Sequence, residues 1–215
     1  NDNLNTYGAD SHTAAGEIIG MIEAWGVTNA DDDSSDAPVL SSYIGFAGDA
    51  VADETDVPGK IIFATADNND NGAPTLRMTL DDNGNLGIGV ADPDEALEVV
   101  GDIHVHNNVY FDTETAVAVG DGATGVIDWR NGNKQKLTIT GTGITINFTN
   151  PGGACNLILK VSQGDGSDVV GTWDGDVKWA GGSAPTLSTG NGEIDILSFY
   201  FDGTKYYGVA SLDFS

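Results

Sequence analysis

Hydrophobic and polar positions alternate with a period of two along most of this chain, in short runs closed by Gly, Pro, Asn and Asp. The clearest run is Asn131 to Phe148, where Leu137 and Ile139 alternate with Thr138 and Thr140, Gly141-Thr142-Gly143 turns the chain, and Ile144, Ile146 and Phe148 resume the pattern. It predicts a hairpin that opens a C-terminal β domain. A second hairpin is predicted where Asn83-Gly84 separates Leu76-Met78-Leu80 from Leu86-Ile88-Val90. Nearer the start, Tyr43 to Ala47 and Lys60 to Ala66 are short apolar pieces set apart by acidic turns and by Pro58-Gly59. The stretch from Gly16 to Val27 fits a helical face through Ile18, Ile19, Met21, Ile22 and Trp25, but Gly16, Gly20 and Gly26 interrupt it, and the reading adopted is a strand.

The predicted class is therefore all-β. A short-strand fibrous or β-sandwich part is expected over residues 1–100 and a neck of short strands over 101–128, then a jelly-roll-like β-sandwich of about eight strands over 129–215. The expected core of that last domain is Leu137, Ile139, Ile144, Ile146, Phe148, Leu157, Leu159, Val161, Ile196, Phe199, Phe201 and Val209. Ile194 to Phe201 is apolar on both faces, as a central or intersubunit strand would be.

Charge sharpens the division. The chain has 33 acids against eight Lys and Arg, a net charge of -25. Residues 1–128 hold 25 of those acids and two bases, whereas residues 129–215 hold eight acids and six bases. This places the expected boundary at Asp128 and Trp129. Such acidity argues against a nucleic-acid partner, because it repels phosphate and leaves little counterion release to gain. It suits either solubility in salty water or binding of divalent cations, and composition leaves both open. No run of about 18 apolar residues is present to predict a membrane-crossing helix. The single Cys155 alternates with Leu157, Leu159 and Val161, which predicts burial as a small hydrophobe. A start at Asn1 reads as a processed chain or a segment of a longer polypeptide.

Candidate chemistry is sparse. Asp67, Asn69, Asn71 and Gly72 match the first half of an oxygen-ligand calcium loop, but its twelfth position is Met78, so a β-turn competes for the same residues. Asp81-Asp82-Asn83-Gly84-Asn85 allows the same two readings. His104 and His106, two apart, would share one strand face as a possible metal pair, set against a plain solvated face. No cofactor is required on this reading, and calcium or another divalent ion is the candidate ligand. Trp173, Trp179, Tyr206 and Tyr207 are the candidates for an aromatic sugar-binding surface, set against packing at a sandwich edge. Asp174 and Asp176 are the least arbitrary carboxylate pair for glycoside hydrolysis, but Gly175 between them suggests a turn.

Two segments resemble known proteins. Pro58 to Phe63, then Leu76-Arg77-Met78-Thr79-Leu80, Asn83-Gly84, Gly87-Ile88-Gly89, Pro93 and Ala96-Leu97-Glu98-Val99 resemble a segment recurrent in bacteriophage tail fibres. Ile127-Asp128-Trp129, Lys136 to Gly141, Phe148 to Pro151, Leu157 to Lys160, Val177-Lys178-Trp179, Gly182 to Leu187 and Asp202 to Gly208 resemble a C-terminal domain of phage tail fibres and related virion surface proteins. The resemblance implies a non-enzymatic, homotrimeric fibre component on the virion surface, outside cells. It would join other fibre subunits and meet a host cell-surface glycan or protein through loops such as Gly164 to Gly171 and Trp173 to Ser188. The alternative is a subunit of a cellular extracellular filament or adhesin built from the same β modules.

Overall fold

The computed structural model describes residues 14–27, 38–51, 55–67, 73–111, 114–164, 166 and 169–215. The described residues are nearly all strand and turn, so the fold is all-β. The chain divides into two compact units, Asn1–His106 and Asn107–Ser215.

The first unit is a single sheet of six strands in sequence order: β1 (Ile18–Val27), β2 (Pro38–Gly48), β3 (Gly59–Thr65), β4 (Thr75–Leu80), β5 (Leu86–Ile88) and β6 (Leu97–Val99). Neighbours run antiparallel except β5 and β6, which are parallel. Within the stretch from Gly16 to Val27, Ile18–Val27 form the strand the glycine interruptions predicted, and Gly16 lies in the turn before it. The predicted turn at Asn83-Gly84 joins β4 to β5, with Leu80 opposite Leu86 and Gly84 at a φ of 84°. Registers align one row of apolar side chains across all six strands: Ile22, Ile44, Phe63, Met78, Ile88 and Val99. A second row on the same face is Gly20, Phe46, Ile61, Leu80, Leu86 and Leu97. The intervening row, on the opposite face, is Met21, Gly45, Ile62, Thr79, Gly87 and Glu98. That face holds the buried residues of the unit, Ala47, Ile62, Ala64 and Thr79.

The second unit contains β7 (Thr115–Gly120), β8 (Thr124–Asp128), a short 3-10 turn (Trp129–Asn131), β9 (Lys134–Thr140), β10 (Ile144–Thr149), β11 (Cys155–Gln163), β12 (Val170–Trp173), β13 (Val177–Trp179), β14 (Ile194–Phe201) and β15 (Tyr206–Phe214). They make a three-stranded sheet, β12-β10-β8, and a six-stranded sheet, β13-β15-β14-β11-β9-β7. Ile127, Ile144 and Ile146 of the smaller sheet share one core with Leu137, Ile139, Leu157, Leu159, Leu197 and Phe199 of the larger.

The predicted hairpin at Asn131 to Phe148 is not one. β9 and β10 lie in different sheets, so Gly141-Thr142-Gly143 bends an arch across the core. β7 and β8 form the arch before it. β9 pairs in parallel with β7 and β11, and β10 pairs in parallel with β8 and β12. The two-sheet character holds, but stacked parallel arches replace the expected jelly roll, whose neighbouring strands would be antiparallel. The physical reason is that alternation fixes which side chains face inward and leaves open which strand supplies the hydrogen bonds. Stacking also places the turns together: Thr142 N–H donates to Asp121 Oδ1 at 2.7 Å, and a Cβ on Gly141 would stand 2.3 Å from Asp121 N.

The same pairing moves the boundary. Residues 101–111 hold no strand, and β7 and β8 belong with the second unit, not with a neck ending at Asp128. The fall in acidity marks a change in surface, whereas the hydrogen bonds mark the unit. Two expected core residues also change sides. Val209 is exposed, and Ile196 alternates with the inward Asp195, Leu197 and Phe199.

Candidate functional site

The second unit decides where the nominated aromatics go. Tyr206 is fully buried on β15, and its hydroxyl donates to Asn150 Oδ1 at 2.7 Å. Burial pushes that hydroxyl's pKa well above its ordinary value. Trp173 and Trp179 pack edge to face at 5.2 Å, and Phe148 stands at 6.5 Å from Trp173 and 4.9 Å from Tyr206. Trp173, Trp179 and Tyr206 therefore pack in or against the core and do not form a presented sugar platform. Gly208 is required beneath them, since a Cβ there would meet Trp179 at 2.8 Å and Phe199 at 2.9 Å. A small hollow of about 230 Å³ does open beside Trp173, lined by Val170, Gly171, Pro185, Thr186 and Leu187, within the loop segments expected to vary.

Tyr207 points the other way. Adjacent residues of a strand face opposite sides, so Tyr206 inward puts Tyr207 outward. On β14, Phe199 and Phe201 inward put Tyr200 outward in the same manner. The two tyrosines are cross-strand partners, stacked with ring centroids 6.4 Å apart and an interplanar angle of 27°, and are 52% and 49% exposed. The row continues to Lys178 on β13 and Asn156 on β11. Neighbouring outward positions carry Val209, Ser198, Ile158 and Lys134, then Lys160 opposite Lys136. Half of the chain's eight bases thus sit on the outer face of one sheet. Lys160 is paired with Glu114 at 2.6 Å, and Lys134 lies 5.0 Å from the Phe111 ring.

Asp202 holds this face in place. Its Oδ1 accepts from Thr204 N, Thr204 Oγ1 and Lys205 N, each at 2.8 Å. Its Oδ2 accepts the Tyr207 hydroxyl at 3.1 Å. The amides of Lys205 and Thr204 hold its pKa at about 2, and the Asp202 hydrogen bond raises that of Tyr207. Sequence reasoning nominated Tyr207 but missed Tyr200 and the lysines. Strict alternation out of phase with Phe199, Phe201 and Tyr206 was the signal that pointed to both tyrosines.

The nominated carboxylate pair serves the fold. Asp174 Oδ2 accepts from Phe148 N at 2.9 Å, its Oδ1 accepts from Asp176 N at 2.9 Å, and Asp176 is ion-paired with Lys205.

For metal, Asn69 and Asn71 lie outside the described residues, and Asp67 meets Arg77 at 3.5 Å. His104 and His106 come together, ring centroids 4.7 Å apart, but on an exposed stretch without strand structure. Among the described residues, Asp49, Asp81 and Asp82 place carboxylate oxygens within 4.8 Å of one another. Protein donors already engage them. Lys60 Nζ sits 2.9 Å from Asp49, Asp82 N–H donates to Asp49, and Asn85 donates twice to Asp81. Burial alone would raise the Asp49 pKa, but Lys60 and the Asp82 amide reverse this and lower it. The cluster is thus knit by an internal ammonium, in the second of the two motifs that allowed a calcium reading.

Among known proteins, no family model matches this chain and no curated protein matches it.

Proposed function

We propose that this chain is a non-enzymatic structural and host-attachment component of a bacteriophage tail fibre, assembled from identical copies as a homotrimer. It acts at the virion surface alongside other fibre subunits. The observation that carries the attachment role is the outward Tyr200 and Tyr207 stack with Lys178 in the same row. Half-exposed, pre-oriented aromatic rings offer flat apolar surfaces to the C–H faces of sugar rings, and hydroxyl, amide and ammonium groups alongside supply hydrogen bonds. Lys134, Lys136 and Lys178 on one sheet face, beside the Glu114-paired Lys160, favour a surface polysaccharide bearing acidic groups. The likeness of residues 58–99 and 127–208 to fibre segments supports the same reading. Fluorescently labelled chain applied to a panel of bacterial cells should bind some strain saturably, and the Tyr200→Ala, Tyr207→Ala double variant should lose at least tenfold in affinity. Equal binding by the variant, or no binding across a broad panel, would remove the attachment role.

A second reading rests on a different observation. Among the described residues, β1 is an edge strand of ten residues hydrogen-bonded only to β2, an arrangement open to strand addition by a neighbour. It favours a subunit of a cellular extracellular filament, which electron microscopy of assembled material would reveal as helical symmetry.

A further inference from the structure

We infer that the apolar face of the β1–β6 sheet, carrying the Ile22-to-Val99 row and the Gly20-to-Leu97 row, packs against the same face of other copies of this chain. The inference rests on the fibre reading and names the surface that the assembly uses. A sheet face rich in large apolar side chains has to be covered by another layer. Among the described residues of this unit no second layer covers it: Ile22 is 63% exposed, Leu97 55%, Phe46 and Ile88 42% each. Two aligned rows across six strands spaced about 5 Å apart make one continuous apolar strip roughly 25 Å wide. Ile22, Glu23, Ala24, Ile44, Phe63 and Thr65 are among the residues that border a hollow of about 320 Å³ on this sheet, a recess for side chains of a partner.

Charge selects the occupant. Residues 1–106 hold 21 acids and two bases, yet the twelve positions of the two rows hold no charged residue. Glu23 and Glu98 belong to rows of the opposite face. A basic partner would be met by acids on the docking face. A second copy carrying the same net charge can approach only through a face from which acids are missing, and in a three-fold assembly the apolar faces of three copies turn together toward the common axis. The edge of β1, which pairs with no second strand among the described residues, adjoins this face and extends the surface available to a neighbouring copy.

The test is the mass of the full chain by sedimentation velocity across a concentration series, together with a Leu80→Asp, Ile88→Asp double variant. Wild type is expected at about three times its 22.2 kDa and the variant at 22.2 kDa, whereas Val209→Asp on the second unit leaves the assembly intact. Should the double variant misfold, Ile88→Cys in a Cys155→Ser background replaces it, with a short bismaleimide expected to link copies of the chain. An oligomer that persists in the double variant, or that gives no cross-link through position 88, overturns this face while leaving the fibre reading standing. A wild type that is monomeric at every concentration overturns both.

Discussion

The two units of this chain solve the same problem in different ways. A β-sheet has two faces, and in the second unit a six-stranded and a three-stranded sheet close over one core in which Leu137, Ile139, Ile144, Ile146 and Leu159 are fully buried. In the first unit the described strands form one sheet, with Ala47, Ile62, Ala64 and Thr79 buried on one face and rows of uncharged, half-buried to exposed residues on the other. The difference teaches that alternation is necessary for both arrangements and distinguishes neither. Self-sufficiency depends on whether the chain itself returns to cover the apolar face.

The comparison can be broken most severely by cutting the chain. A fragment covering residues 107–215 should fold cooperatively, while one beginning at Trp129 should not, because it lacks β7 and β8 and strips β9 and β10 of one parallel partner each. Circular dichroism with thermal unfolding distinguishes them, and an equally cooperative shorter fragment would restore the boundary at Trp129. Within the intact chain, Phe199→Ala should cost about 3–5 kcal/mol in the second unit, read by denaturant unfolding. Asp195→Ala comes next. This buried carboxylate accepts from Ser188 N, Ser188 Oγ and Asp213 N, so stranding those donors should cost about 1–3 kcal/mol. Gly208→Ala should cost about as much, through contact with Trp179 and Phe199. In each case amide exchange in β1–β6 should stay at its wild-type level, and a matching loss there would mean that the units are not energetically separate.

The smallest effect is on pH. The Asp202 carboxyl has a folded pKa of about 2 against an ordinary 3.8, so its stabilising contribution is present above 3.8 and is lost as pH falls toward 2. A carbon-detected NMR titration should find its midpoint near pH 2. In Thr204→Ala, which removes the hydroxyl hydrogen bond, the midpoint should move upward, and an unchanged midpoint would contradict the assigned cause.

Much of this architecture is written in the alternation of the chain. The class, the strand at β1, the Asn83-Gly84 turn and most core positions follow from period-two patterning and turn chemistry. Pairing partners do not, because Leu137-Thr138-Ile139 and Ile144-Thr145-Ile146 present the same inward set in a hairpin or in an arch. The readable clue to the arch is a repeat. Val117-Ala118-Val119 followed by Gly125-Val126-Ile127 is echoed about twenty residues later by Leu137-Thr138-Ile139 and Ile144-Thr145-Ile146, and repeating patterns of that length signal stacked rungs. At the outer face, Tyr207 was legible as an aromatic but not as exposed, since its role follows from Tyr206 turning inward beside Phe148 and Phe201. The acid cluster at Asp49, Asp81 and Asp82 joins residues distant in sequence, so only the fold brings them together.

The central claim is that the second unit closes its own core while the first relies on other copies of the chain. Hydrogen exchange of the full chain, measured at a series of dilutions, tests it most directly. Amides of β1–β6 should lose protection as the chain is diluted through its assembly threshold, while amides of β7–β15 keep theirs. Protection in β1–β6 that does not change with concentration would contradict the claim.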